Sequence, residues 1–406
     1  MNGTHFHQAG EPPLPLPSNS VRFFPFAGGG VLFLEGTRRV WGLNTSAAFL
    51  WHSLENIRRF DELAKALAEE FSLDEITAMR DTAASLACFG NEGLLGEGKL
   101  VDLPEDGGEW KIPSSALLLT EPASWPLREL FQTPNHIIEL CSQDPGPGRS
   151  FVGHMEHLSM NRRVRAETRL AVVGNSAKDT WDIYLDGRRF LEGAAENEVL
   201  PHLFTLVFVR TCAALPHALL FHAAVIGRKE KMVLFPAEAG SGKTTLAAAL
   251  AARGWRFFSD ELAVLDIGDL RVAPFPMPMS IKPGSVQALE RYYPGLASGA
   301  LHHRADGKDV RYLSPPPESL TGVGNSAAPI DIIVYPIYRE GSKTRLAPLT
   351  KIDALQRLAA TGSSDRKFLS GDIEAMLALV ERTPCFELVF SNLEEALELL
   401  EELIQG

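Results

Sequence analysis

The stretch Phe235-Pro-Ala-Glu-Ala-Gly-Ser-Gly-Lys-Thr-Thr245 decides how this chain is read. It follows an apolar, strand-like run, Met232-Val-Leu-Phe235, and opens a helical run, Leu246 to Arg253, that Gly254 stops. A glycine-rich turn between a strand and a helix is the context that a phosphate-binding loop needs. Gly240 and Gly242 let backbone N–H groups wrap a polyphosphate, with Ala239, Ser241 and Thr245 completing the loop. Lys243 can neutralise β and γ oxygens, and the Thr244 hydroxyl can ligate Mg²⁺. The usual first glycine is here Ala237, and Glu238 adds a negative charge that has to point outward. The expectation is an α/β core that binds ATP with Mg²⁺.

Such a loop serves kinases, motors and GTPases alike, so its flanks have to choose. Upstream, Leu219-Leu-Phe-His-Ala-Ala-Val-Ile226 reads as one buried strand interrupted by His222. Downstream, Arg253-Gly-Trp-Arg-Phe-Phe-Ser-Asp-Glu-Leu-Ala-Val-Leu265 places the acidic pair Asp260-Glu261 at a strand end. The carboxyl ends of parallel strands are where an α/β sheet presents its ligand site. One carboxylate there can hold Mg²⁺ while the other accepts a proton from an attacking hydroxyl.

His222, the loop Ala239-Gly-Ser-Gly-Lys-Thr244, Arg253-Gly254 and Asp260-Glu261, in that order, resemble the catalytic domain of HPr kinase/phosphorylase and its related kinases. The resemblance implies an α/β P-loop kinase core with a mixed sheet and flanking helices. It also implies Asp260 as the base, Lys243 at the transferring phosphate, Thr244 and Glu261 on the metal side, and His222 as a neighbour that orients the acidic pair. It covers about residues 215 to 270. The Glu-x-Arg-Gly signature of HPr kinases proper is missing, which argues against HPr itself as the substrate. Lys282, in Pro276-Met-Pro-Met-Ser-Ile-Lys-Pro-Gly-Ser285, and Arg311, in Gly307-Lys-Asp-Val-Arg-Tyr-Leu-Ser-Pro315, are candidates for a second cation at the phosphates.

The first hundred residues have another character. Val21-Arg-Phe-Phe-Pro-Phe26 and Val31-Leu-Phe-Leu-Glu35 flank a glycine-rich turn, Ala27-Gly-Gly-Gly30, as in a hairpin. Arg39-Val-Trp-Gly-Leu-Asn44 follows, and Asn44 or Thr45 can cap a helix through Leu54. Leu63, Leu67 and Phe71 fall on one face of a second helix, and Leu73 to Leu95 gives a third. A hairpin followed by three short helices resembles PqqD, a small winged-helix-like chaperone. That resemblance implies binding of the leader of a ribosomally made precursor peptide. The alternative is a small α+β domain that only packs on the kinase.

The chain has 406 residues, 45% of them hydrophobic, enough for two or three domains. A net charge of −12 argues against nucleic acid and anionic membrane as partners. Four cysteines far apart suggest a reducing, cytoplasmic setting and no zinc site. Leu203 to Leu220 is apolar but broken by Arg210 and Pro216, so it reads as a buried helix. The basic run Asn161-Arg-Arg-Val-Arg165 reads as a solvated strand face, with contact to an acidic peptide as the alternative.

The expected division is a disordered tail over 1–20, in which His5 and His7 are poor metal ligands, and a PqqD-like domain over 21–102. A linker over 103–113 leads to a mixed antiparallel α+β region over 113–210 and the catalytic domain over 211–406. Homo-oligomers occur among the relatives implied, and the extra domain bears on whether they can form here. The function expected is phosphorylation of a Ser or Thr hydroxyl in a leader-held precursor peptide. A peptide-binding ATPase or chaperone without phosphoryl transfer, or a small-molecule kinase acting on, for example, free serine, would need the same loop.

Overall fold

The computed structural model describes residues 13–96, 118–120, 124–143, 145–161, 164–175, 177–320, 326–362 and 367–405. The expected linker, His5, His7 and Arg162-Arg163 lie outside them; Asn161, Val164 and Arg165 are in no strand. The chain is mixed α/β and divides into two compact units. No described helix is long and apolar enough to cross a membrane.

The first unit takes in residues 1–107, 350–360 and 364–381. Strands Val21–Phe26, Gly29–Leu34 and Val40–Leu43 form an antiparallel sheet in sequence order. The hairpin turn is shorter than its glycine content suggests. Only Ala27 and Gly28 turn, both at positive φ (53° and 78°), the backbone that a two-residue hairpin needs. Gly29 and Gly30 are paired strand residues, and a Cβ on Gly30 would sit 2.2 Å from the Phe23 ring.

Three helices follow: Thr45–Ser53, capped by the Asn44 side chain on Ala47 N, Phe60–Phe71, and Glu75–Asn91, capped by Asp74 on Thr77 N. Leu32, Leu50, Trp51, Leu63, Leu67 and Phe89 close one core between sheet and helices. The segment expected as the end of a loose tail is tied down: Leu14 N donates to Arg58 O and Ser18 N to Leu94 O. The same unit holds the helix Lys351–Ala360, whose Ile352 lies where a Cβ on Gly42 would be, and residues 370–381 of the helix Ser370–Arg382. Both helices come from the stretch expected to be catalytic.

The second unit begins with a five-stranded sheet, Leu127–Thr133, His136–Ser142, Thr168–Asn175, Thr180–Leu185 and Arg188–Ala194. It is not purely antiparallel. His136–Ser142 and Thr168–Asn175 run parallel, because the helix Pro145–Met155 carries the chain across between them. Helix Glu196–Ala213 packs on this sheet through Leu203, Phe204, Leu206 and Val207. It starts and ends earlier than the apolar run suggested. Glu198 caps its first turn, and Leu219-Leu220 belong to a strand beyond Pro216.

A six-stranded mixed sheet positions the site. Its order is Arg256–Ser259, Ala223–Arg228, Lys231–Pro236, Ile332–Tyr338, Cys385–Phe390 and Arg345–Pro348. Lys231–Pro236, Ile332–Tyr338 and Cys385–Phe390 run parallel, so their carboxyl ends share one edge. Ala223–Arg228 is antiparallel to Lys231–Pro236 and begins where that strand ends, Ala223 opposite Pro236. Arg256–Ser259 is antiparallel in turn to Ala223–Arg228, which returns its own end to the same edge. Helix Lys243–Ala252 packs on the sheet through Leu246 and Leu250, and helix Leu393–Gln405 shares that core.

The run 219–226 is therefore two strands and not one. Ala218–Phe221 pairs with Ala263–Asp266 in a separate four-stranded sheet, and the chain changes sheets at His222. His222 N donates to Thr361 O, and its carbonyl accepts from Ala237 N.

Candidate functional site

The loop between Pro236 and Lys243 turns through Gly240 and Gly242, at φ 92° and 86°. Both conformations favour glycine. Gly242 is required twice, since a Cβ there would sit 2.6 Å from Phe390 Cζ. Tyr338 N donates to Ser241 O and ties the loop to the neighbouring strand end. The loop delivers its chain into the N-terminus of Lys243–Ala252, where free N–H groups and the helix dipole favour an anion. Ala239 and Glu238 are exposed, as Glu238 was expected to be, while Ala237 is buried.

Lys243 is 5% exposed and its Nζ has no hydrogen-bond partner. An unpaired buried ammonium costs several kcal/mol (about 3–5 where a partner is lost). Burial pushes its pKa down, to about 8, while Glu261 and Asp260 pull the other way. Thr245 lines the same cavity, and its hydroxyl, 2.7 Å from Ser285 Oγ, also holds the helix to the next loop.

Asp260 follows the strand Arg256–Ser259, 2% exposed, with Oδ2 unpartnered. Leu262 N donates to Ser259 Oγ at 3.1 Å, which fixes the tight turn that carries the acidic pair. Burial raises the Asp260 carboxyl, to about 7, and the charge of Glu261 adds to it; Lys243 and a hydrogen bond from Thr244 act against both. Glu261 is held low. Burial works upward on it, but the His222 hydrogen bond and the Lys243 charge outweigh that. His222 Nε2 lies 3.4 Å from Glu261 Oε1. The surroundings thus raise one of two adjacent carboxylates and lower the other.

The structure brings together His222, the loop 239–245, Glu261 and Lys282 around one cavity of about 560 Å³. Ser280, Arg304 and Lys308 line it too, and sequence reasoning missed them. Their one available signal was the turn Asp306-Gly307 with a basic residue on either side. Asp306 pairs with Arg304 at 3.2 Å and Lys308 at 2.8 Å. Arg311 is elsewhere: its guanidinium donates to Gly299 O and Ala297 O and staples a loop. Among the described residues no group of three or more His, Cys, Asp or Glu side chains could hold a metal ion.

Residues 29–95 match the family model of coenzyme PQQ synthesis protein D (PqqD), and they form a PqqD-like domain. No curated protein matches the chain. Among solved structures it is similar to TbiB1 in complex with the TbiA(beta) leader peptide, at 29% identity and TM-score 0.19, covering 21% of this chain and 98% of that one. It is also similar to the HPr(Ser) kinase/phosphatase from Coxiella burnetii, at 14% identity and TM-score 0.22, covering 46% of this chain and 99% of that one.

Proposed function

We propose that this chain is an ATP- and Mg²⁺-dependent kinase that phosphorylates a Ser or Thr hydroxyl of a ribosomally made precursor peptide, held by its leader on the PqqD-like domain. The observation that carries the catalytic half is the orphaned Lys243 ammonium, buried at a helix N-terminus and facing an acidic pair. A polyphosphate is the partner this cradle lacks. ATP fits the donor set: loop N–H groups and Lys243 on the phosphates, with Lys282, Arg304 and Lys308 arranged around them. Tyr338 and Phe390, edge to face at 5.8 Å, give the cavity an aromatic wall suited to a base. Mg²⁺ fits as well, because it needs only one or two protein ligands besides phosphate, here Thr244 and Glu261. When bound, the metal neutralises charge on the β and γ oxygens.

The protein's own tasks then divide. His222 orients Glu261, Lys243 and the loop hold the phosphates, and Asp260, raised by burial, accepts the hydroxyl proton at Oδ2. Asp260→Asn should keep nucleotide binding and lower phosphoryl transfer by about 10²–10⁴-fold. Wild-type transfer by Asp260→Asn together with a dead Glu261→Gln would reverse the two acidic roles.

The binding half rests on the PqqD match and on one helix face. On Glu75–Asn91, the apolar residues Ile76 and Met79 are 81% and 44% exposed, with Ala83 and Ala87 exposed further along the same face. The helix Lys351–Ala360 already lies against the strand Val40–Leu43, where Gln356 Nε2 donates to Val40 O, so the exposed face of Glu75–Asn91 is the surface left for the apolar side chains of a leader.

A further inference from the structure

A second cavity of about 240 Å³ adjoins the first, and Glu261, Ser280 and Arg304 line both. The other lining residues separate cleanly. Lys243 and the glycine-rich loop line only the first cavity, whereas Asp260 lines only the second. Asp260, buried and with its Oδ2 unpartnered, thus lines a cavity distinct from the phosphate cradle, with Glu261 and Arg304 at the junction.

We propose that this second cavity is the acceptor subsite, and that it selects peptides in which the hydroxyl-bearing residue is flanked by a large, uncharged apolar side chain. This rests on the kinase reading above. In this subsite Asp260 Oδ2 takes the proton of the acceptor hydroxyl as that oxygen bonds the γ-phosphorus, and ADP leaves with the β–γ bridging oxygen.

The walls set the selectivity. Phe204, Phe208 and Val209 from the helix Glu196–Ala213 face Phe275, Met277 and Tyr312. The polar groups among them are already committed. Thr205 Oγ1 donates to Pro201 O at 2.8 Å, and the Tyr312 hydroxyl hydrogen-bonds Ser280. Arg304, at the junction with the phosphate cradle, is paired with Asp306. An acidic side chain entering this space would lose its water and meet the carboxylates of Asp260 and Glu261. An apolar one would gain contact with the aromatic rings of the wall. The space is below the range of about 300–1,000 Å³ common for drug-sized ligands, which suits one or two side chains of a peptide.

The test is a positional-scanning library of short peptides with a central Ser, incubated with the full chain, ATP and Mg²⁺ and read by phosphate incorporation. A matching library with Ala in place of Ser is read by retention on immobilised protein. Wild type should favour Phe, Leu or Met beside the central residue over Asp or Glu by about tenfold or more, the scale at which apolar pockets discriminate. Val209→Asp should abolish that preference in both libraries and Val209→Ile should keep it, with the unfolding transition of each variant checked against the parent. Incorporation without flank preference, or a preference unchanged by Val209→Asp, overturns the subsite and leaves the kinase reading standing. Retention of apolar-flanked Ala peptides with no incorporation in the Ser library supports the subsite and overturns the kinase. Neither retention nor incorporation overturns both.

Discussion

Lys243 shows how one side chain can be wrong for stability and right for function. Its ammonium is buried without a hydrogen-bond partner, and the charges of Glu261 and Asp260 offset that cost only in part. Lys243→Met fills similar volume without that charge. It should raise the unfolding midpoint of the nucleotide-free protein, by about 1–4 kcal/mol in stability. It should also erase the stabilisation that ATP gives the parent. A lower midpoint, with ATP stabilisation intact, would show that Lys243 is paired in solution and is no phosphate ligand. The placement of the loop, Lys243, Asp260 and Glu261 beside two adjoining cavities was legible in sequence because a phosphate site would need each residue type at one place. Arg304 and Lys308 could not be. They arrive at the cavity through a short strand and a turn, and their one signal, a basic residue on either side of Asp306-Gly307, is as common in ordinary surface turns.

At the scale of elements, periodicity is more legible than partnership. Leu219 to Ile226 is apolar but for one residue and reads as one strand, yet its two halves serve different sheets. The switch falls on His222, the one polar residue of the run. The stretch Ala27-Gly-Gly-Gly30 misleads in the same way: a glycine cluster reads as a long turn, yet Gly30 is glycine because Phe23 lies over it. The third helix of the first unit supports a prediction. Ile76→Asp and Met79→Asp change only exposed positions, so the fold should tolerate them. Leader-peptide affinity should fall by about tenfold or more, the scale of a lost apolar anchor, while basal ATP hydrolysis stays at the parent level. Equal leader affinity would remove this helix from the recognition surface.

In the second unit, burial lowers the pKa of His157, against its 2.6 Å bond to Pro276 O and the charge of Glu156. The unfolded chain therefore takes up a proton near the ordinary histidine pKa while the folded one stays neutral. The stability so gained is present above about pH 6.5 and is lost as the pH falls through the lower folded value. Urea midpoints should drop between about pH 7.5 and 5.5, and by less in His157→Gln. An equal drop in both would assign the acid sensitivity to other groups.

Over the whole molecule, the front domain was legible because a hairpin and three helices are local features, and residues 29–95 match the PqqD model. The share of the first unit supplied by residues 350–360 and 364–381 was not legible. Those helices are amphipathic like any others, and only long-range packing assigns them to this unit. A front-domain deletion would leave their buried faces, with Ala354, Leu355 and Leu358, uncovered. Point changes in the full chain are therefore the sounder test of recognition. The central claim is phosphoryl transfer to a leader-bearing peptide, and intact-mass analysis tests it most directly. The full chain would be incubated with ATP, Mg²⁺ and a short precursor encoded beside its gene. The account predicts a mass gain of one phosphate on a Ser or Thr, lost with Asp260→Asn. ATP consumed with the peptide bound and its mass unchanged would contradict it.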